Sequence, residues 1–283
     1  MSQLRALRLV SLVCCALGAA QAADTPPVAD TTPVADTTPG STPTTPATLP
    51  GAVPDRGALD RSGVDPTRLY NFAGAAYEQN TNQDSGSDVS REILKGQFVF
   101  ERFALRAAVP VNVRSNPGRG ETDDGFGDIV VGVAAAKQIK PTFAVALSLD
   151  VSLNTAEDDQ LGRNSIILIP AAYGSYQLND TSRIVGGLRW EASVYTEHRV
   201  GRTNRFELPV EWLHAMNQGF FIAAGGQPGY DFEAERWTLA GIGSIGMVIA
   251  QRHTFRLSLE VPVDSYSREF DGRTLTIDYA YNF

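Results

Sequence analysis

The sequence predicts an all-β protein: an antiparallel up-and-down transmembrane β-barrel of about twelve strands, preceded by a disordered Pro/Thr-rich N-terminal tether. Three observations carry that expectation. From Leu69 onward apolar residues recur at every second position, in segments of about 9–11 residues, the length a tilted strand needs to cross a hydrocarbon layer. The connections between segments alternate between tight turns and longer polar loops. Aromatic residues crowd the segment ends, where a ring with an apolar body and a polarisable edge suits the headgroup level of a bilayer.

Residues 1–22 have the layout of a secretory signal peptide: Arg5 and Arg8, an apolar stretch from Leu9 to Ala20, then the small-residue site Ala20-Gln21-Ala22. Both cysteines, Cys14 and Cys15, fall inside it. Lipidation of Cys15 would need a small residue before it, and Cys14 stands there instead. Cleavage near Ala22 therefore leaves a mature chain with no thiol chemistry. Losing Arg5 and Arg8 leaves 22 basic against 32 acidic residues, a charge of −10. That balance excludes nucleic acid as a partner, since phosphate binding needs clustered Lys and Arg. Beyond the leader no run approaches the roughly 18–20 apolar residues of a spanning helix.

Residues 23–68 read as a periplasmic linker. Nine of the chain's 16 prolines lie between Pro26 and Pro66, and residues 28–33 and 34–39 repeat Val-Ala-Asp-Thr-Thr-Pro. Proline every few residues removes ladder and helix donors, and no apolar periodicity competes, so the expectation is an extended, disordered tether.

Residues 69–283 form the expected barrel. In 143–153, Phe143, Val145, Leu147, Leu149, Val151 and Leu153 alternate with Ala144, Ala146, Ser148, Asp150 and Ser152. Equally clean alternation occurs over 103–114, 184–195, 205–212, 254–264 and 273–283. It is looser over 69–78, 88–100, 127–137, 220–227 and 237–249, and the facing of 165–178 is ambiguous. Tight turns are expected at 101–102, 138–140 and 180–181, and long polar loops at 115–125, 155–164 and 227–235. This is the asymmetry of periplasmic turns against outer loops. A soluble β-sandwich would alternate too, but it needs neither the aromatic ends nor the last strand. There Leu275, Ile277, Tyr279, Tyr281 and Phe283 share one face, which resembles the outer-membrane assembly signal of Gram-negative barrels. The barrel assembly machinery, outer-membrane lipid and lipopolysaccharide are the partners this implies.

A second resemblance rests on Gly125-Phe126-Gly127-Asp128, followed by an alternating strand and preceded by the proline-containing strand around Pro110. Together with the aromatic last strand, it resembles the outer-membrane barrel family of transporters of the phenol-degradation meta pathway, over roughly residues 69–283. The resemblance implies a channel for small solutes, aromatic or apolar compounds among them. It brings no catalytic residues. A phosphate-binding loop would need a helix after the glycines, and a strand follows.

The faces opposite the apolar residues carry the candidate lumen-lining set: Arg106, Arg114, Arg189, Arg205 and Arg256, with Asp128, Asp150, Glu191, Glu207, Glu211, Glu260 and Asp278. Lys95 and Gln97 are further candidates. Five cations against seven acids gives −2, which would favour cations in a water-filled path; ion pairing that stiffens a sealed barrel is the alternative. Pro110, Pro209 and Pro262 fall on the same faces and mark bulges or bends. The acidic clusters Glu121, Asp123, Asp124 and Glu157, Asp158, Asp159 lack calcium-loop spacing and read as solvated loops. An outer-membrane lipid-modifying enzyme would need a His near a Ser on one outward face; His198, His214 and His253 are expected in loops and turns. Hence the expected function is passive passage of small solutes across the outer membrane, with a non-conducting anchor barrel as the alternative. No metal or other cofactor is expected.

Deleting Phe283, or replacing it by Ser, should lower the amount of heat-modifiable barrel in fractionated outer membranes and raise periplasmic degradation; unchanged yield would show that the last aromatic residue is not read during assembly.

Overall fold

A computed structural model describes residues 59–82, 86–116, 122–159, 161–196, 202–216, 219–264 and 272–283. The expected signal peptide with its cysteines, the linker up to residue 58, Glu121 and His198 lie outside the described residues.

The strand segments, in chain order, are β1 (Phe72–Asn82), β2 (Ser87–Phe100), β3 (Phe103–Asn116), β4 (Asp123–Gly125), β5 (Val130–Lys140), β6 (Phe143–Ser152), β7 (Ser165–Gln177), β8 (Ser182–Thr196), β9 (Asn204–Glu207), β10 (Val210–Ala215), β11 (Phe220–Asp231), β12 (Arg236–Ile249), β13 (His253–Pro262) and β14 (Arg273–Asn282). Every pairing is antiparallel, and β1 pairs with β14 from Phe72↔Asn282 to Thr81↔Arg273, which closes the sheet on itself. Two strands are interrupted. Both β4 and β5 pair with β3, and both β9 and β10 lie between β8 and β11. Counting each as one strand gives the expected closed barrel of twelve.

The interruptions have local causes. Pro209, which separates β9 from β10, has no N–H to donate. The flanking groups pair instead: Leu208 N–H donates to the Pro228 carbonyl (2.8 Å), and the Pro209 carbonyl accepts from Gly187 N–H (2.9 Å). Pro110 sits at a β-bulge. On β2, Ile93 faces Pro110 while the preceding Glu92 faces Asn112, so Val111 is the extra residue. One inserted residue reverses the alternation beyond it. The expected long loop at 227–235 is instead mostly ladder: β11 runs to Asp231, and β12 resumes at Arg236 after a four-residue turn.

The barrel is apolar outside. Leu94, Leu105, Val133, Leu147, Leu149, Leu188, Ile245, Leu257 and Ile277 are all exposed on the outward face, Leu147 at 64%. Exposed aromatics frame this band at both ends. Phe100, Phe103, Tyr176, Phe220 and Phe283 lie at the tight-turn end, and Tyr77, Trp190, Tyr195, Phe232 and Trp237 towards the other. In water so large an apolar surface would drive aggregation, whereas in a bilayer it is solvated.

The tight-turn end is filled. Residues 59–70, assigned by their composition largely to the linker, fold into it. Leu59 is buried against Val185, Leu213, Phe221 and Val248 of the inner wall, with Val64 packed on the same cluster. Composition misplaces this boundary because Pro66 continues the proline-rich run, while the three apolar anchors Leu59, Val64 and Leu69, spaced five apart, match neither the period of a strand nor that of a helix.

Leu147→Arg should destabilise the inserted barrel by about 2–4 kcal/mol, the midplane cost of Arg on a lipid face, whereas Ile139→Arg, beside a tight turn, should cost about 0–1 kcal/mol. Equal costs in a refolding titration into lipid would show that the outward face does not meet hydrocarbon.

Candidate functional site

The interior wall is built from ion pairs carried by neighbouring strands. Arg106 of β3 pairs with Asp150 of β6, although β5 lies between them. Gly132 of β5 makes this possible: it stands in register with both Arg106 and Asp150, and a Cβ there would overlap Asp150 Oδ1. A longer chain of charges crosses β8 and β9. Arg163 reaches Glu191 (2.9 Å), Arg189 bridges Glu191 (2.5 Å) and Glu207 (3.0 Å), and Arg205 joins Glu207 (3.1 Å). Across the closure, Asp278 of β14 takes Arg256 (3.0 Å) and Lys95. Arg91 and Glu78 link β2 to β1 (2.5 Å). Buried or half-buried charge of this density is tolerated only when paired in this way.

Ten of the twelve residues expected in the lumen face it, and Lys95 and Gln97 join them. Glu211, on β10 between Val210 and Trp212 of the outward face, points inward, as does Glu260 on β13. Two do not. Arg114 follows the Val111 bulge, so Val113 and Ser115 take the buried inward positions. Arg114 is exposed and borders an outer-surface cavity of about 190 Å³ shared with Tyr77 and Gln79. Asp128 lies in no strand. Its Oδ1 accepts from the backbone N–H of Thr155 (3.0 Å) and Ala156 (3.1 Å), and its Oδ2 from that of Arg163 (2.6 Å). It is thus a staple between two outer loops. The acidic residue Glu157 works similarly, accepting from Phe126 N–H (3.3 Å). Gly127 completes the motif by letting its backbone lie against Pro110 and Val113.

Sequence alternation missed Glu78, Arg91, Arg163 and Arg183 as wall or loop charges. With them included, and Arg114 and Asp128 removed, eight cations (Arg91, Lys95, Arg106, Arg163, Arg183, Arg189, Arg205, Arg256) face seven carboxylates (Glu78, Asp150, Glu191, Glu207, Glu211, Glu260, Asp278). The wall is nearly balanced, so the cation preference drawn from the smaller set no longer follows.

Residues 59–70, the plug of the tight-turn end, are latched to this wall. Asp65, whose side chain is 0% exposed, holds Arg183 of β8, 5% exposed, at 2.6 Å, and accepts from Ser175 Oγ of β7 at 2.8 Å. Arg183 also reaches Asp60 (2.8 Å). Asp65 Oδ1 caps its own turn by accepting from Thr67 N–H and Oγ1. On the opposite side Thr254 Oγ1 donates to the Arg61 carbonyl (3.0 Å), and Arg256 donates to the Gly63 carbonyl (3.2 Å). Burial pushes the Tyr70 phenol up to about 12, so it stays protonated and donates to the Arg61 carbonyl (3.4 Å).

The histidines are placed differently from expectation. His214 lies within β10 and His253 opens β13. His214 Nδ1 is 2.8 Å from Ser182 Oγ, with its ring stacked on Trp212. Ser182 is only 5% exposed, and no carboxylate orients the ring among the described contacts, so this pair lacks the reach and the third group of an esterase centre. No cluster of metal-ligating side chains occurs among the described residues.

No family model matches the chain, and no curated protein matches it. Solved structures do. An outer membrane channel from Pseudomonas putida F1 aligns with a TM-score of 0.57 at 11% identity, over 76% of this chain and 96% of that one. The KdgM porin in complex with disordered oligogalacturonate aligns at 0.51 and 8% identity, over 75% and 99%. The NanC porin aligns at 0.51 and 10% identity, over 75% and 98%. At these identities the likeness is one of fold.

Asp65→Ala leaves Arg183 buried with only Asp60. Loss of a buried partner costs about 3–5 kcal/mol when nothing replaces it, and Asp60 should hold the effect to the lower end. The measurement is hydrogen exchange: residues 59–70 should lose protection while the strand amides keep theirs. Unchanged protection of the plug would show that the latch does not hold it.

Proposed function

We propose that the chain is an outer-membrane channel for passive passage of small solutes, gated at its periplasmic end by residues 59–70. The observation that carries this reading is the inversion of polarity: an apolar, aromatic-edged outside encloses a wall of charged pairs. A barrel serving only as an anchor could fill its interior with aliphatic side chains at lower desolvation cost, whereas ionised groups along a lumen suit water and solute. It is supported by the structures of similar fold, two porins and an outer membrane channel. The resemblance of Gly125-Phe126-Gly127-Asp128 and the last strand to the phenol meta-pathway transporters supports small aromatic compounds as cargo.

A second reading has its own observation. The Asp65–Arg183 latch and the Leu59 anchor seal one end, as a non-conducting anchor barrel would require. Planar-bilayer recording separates the two. The channel reading expects low conductance in the wild type and higher conductance, or longer openings, after Asp65→Ala. Silence in both proteins, with barrel circular dichroism intact, would leave the anchor. Swelling of proteoliposomes in phenol against a sugar of similar size then tests the cargo class, with faster phenol-driven swelling expected relative to protein-free vesicles.

A further inference from the structure

A cavity of about 470 Å³ opens at the periplasmic mouth, between the plug and the β2–β3 and β5–β6 hairpins. One part of its wall is apolar: Leu69 and Tyr70 from the plug, Val99 from β2 and Ala136 from β5. Another is cationic. Arg61, Arg68, Arg102 and Lys137 line it, against the carboxylates of Asp60 and Glu101. The plug's cations are already engaged, Arg68 by Asp60 (3.3 Å) and Gln138 (2.9 Å), and Arg61 by Gln251. Asp60 is shared with Arg183. Arg102 and Lys137 remain, both exposed and with no ion-pair partner among the described residues.

We propose that this cavity is a binding site for an amphiphilic monocarboxylate, whose chain or ring lies on Leu69, Val99 and Ala136 and whose carboxylate sits between Arg102 and Lys137. The volume falls within the range of small-molecule sites, and the lining has their usual make-up, an apolar bed with a few polar groups that fix orientation. Inorganic phosphate would leave the apolar wall unused. A cation would meet four positive groups and only two acids, and a neutral apolar molecule would leave the two unpaired cations without a role. Arg102 can offer a planar pair of donors and Lys137 a point charge, a combination suited to one carboxylate. Arg102 and Lys137 take no part in the ion pairs of the wall, and the site's occupancy does not depend on conduction through the lumen.

The test is equilibrium dialysis of labelled octanoate against the full-length protein in phosphatidylcholine nanodiscs, with empty nanodiscs as the blank and octanol as the neutral probe. Saturable binding of one octanoate per barrel is expected, with octanol bound at least about tenfold more weakly. The double variant Arg102→Glu, Lys137→Glu should lose octanoate affinity by about tenfold or more while keeping heat-modifiable migration and barrel circular dichroism. Octanoate uptake equal to that of empty nanodiscs would overturn the proposal, as would affinity in the double variant within about twofold of wild type. Loss of octanoate binding when phosphatidylglycerol is added to the nanodiscs would also overturn it, by showing that the site takes a lipid headgroup. A silent bilayer recording, by contrast, would touch only the channel reading.

Discussion

In hydrocarbon a backbone N–H or C=O finds no water, so every one within the membrane must be paired inside the protein. The structure follows from that constraint. It forces the sheet to close, which β1 and β14 do over ten residue pairs. It also restricts where proline can stand. Pro209 is tolerated because Leu208 and Gly187 redirect their bonds around it, and Pro110 because a bulge takes up the missing donor. The constraint acts on side chains too, since charges set into the wall of a barrel are costly unless paired. They are met by partners on adjacent strands, and at Gly132 the strand between two partners gives up its side chain to let them meet.

The same economy of space joins the plug to the wall. The wall supplies an apolar seat of Val185, Leu213, Phe221 and Val248 beside a buried Arg183, and the plug brings a complement for each, Leu59 for the first and Asp65 for the second. An apolar seat alone would hold the segment without orienting it. A buried arginine alone would be costly. Together they fix both position and register, and the remaining bonds, to the carbonyls of Arg61 and Gly63, come from the opposite side of the barrel.

Most of the barrel was legible in the sequence because a period of two, once set, fixes both strand and facing. That is why Arg106, Asp150, Glu191, Glu207 and Asp278 could be placed on the inside from alternation alone. Alternation fails where the period is broken. Val111 flips the facing of Arg114, and the proline four residues before it, Pro110, is the available signal. Asp128 was misread for another reason: a carboxylate that caps loop amides looks, in sequence, like any polar residue at the start of a strand. Arg163 and Arg183 were missed because one lies in a loop and the other at a strand end, where no period extends. The plug was hidden by composition, since its few anchors are scattered through a proline-rich run and their partners lie more than a hundred residues away.

That separation bears on the order in which the molecule can form. The plug precedes every strand in the chain, yet Asp65 meets Ser175 and Arg183 across 110 and 118 residues, and the Arg61 carbonyl meets Thr254 across 193. Its seat is complete only when β7 to β13 are paired, and contacts of such long range repay their loop-closure entropy only after the intervening strands have ordered. A segment that precedes every strand therefore takes its place only after strands far along the chain have paired.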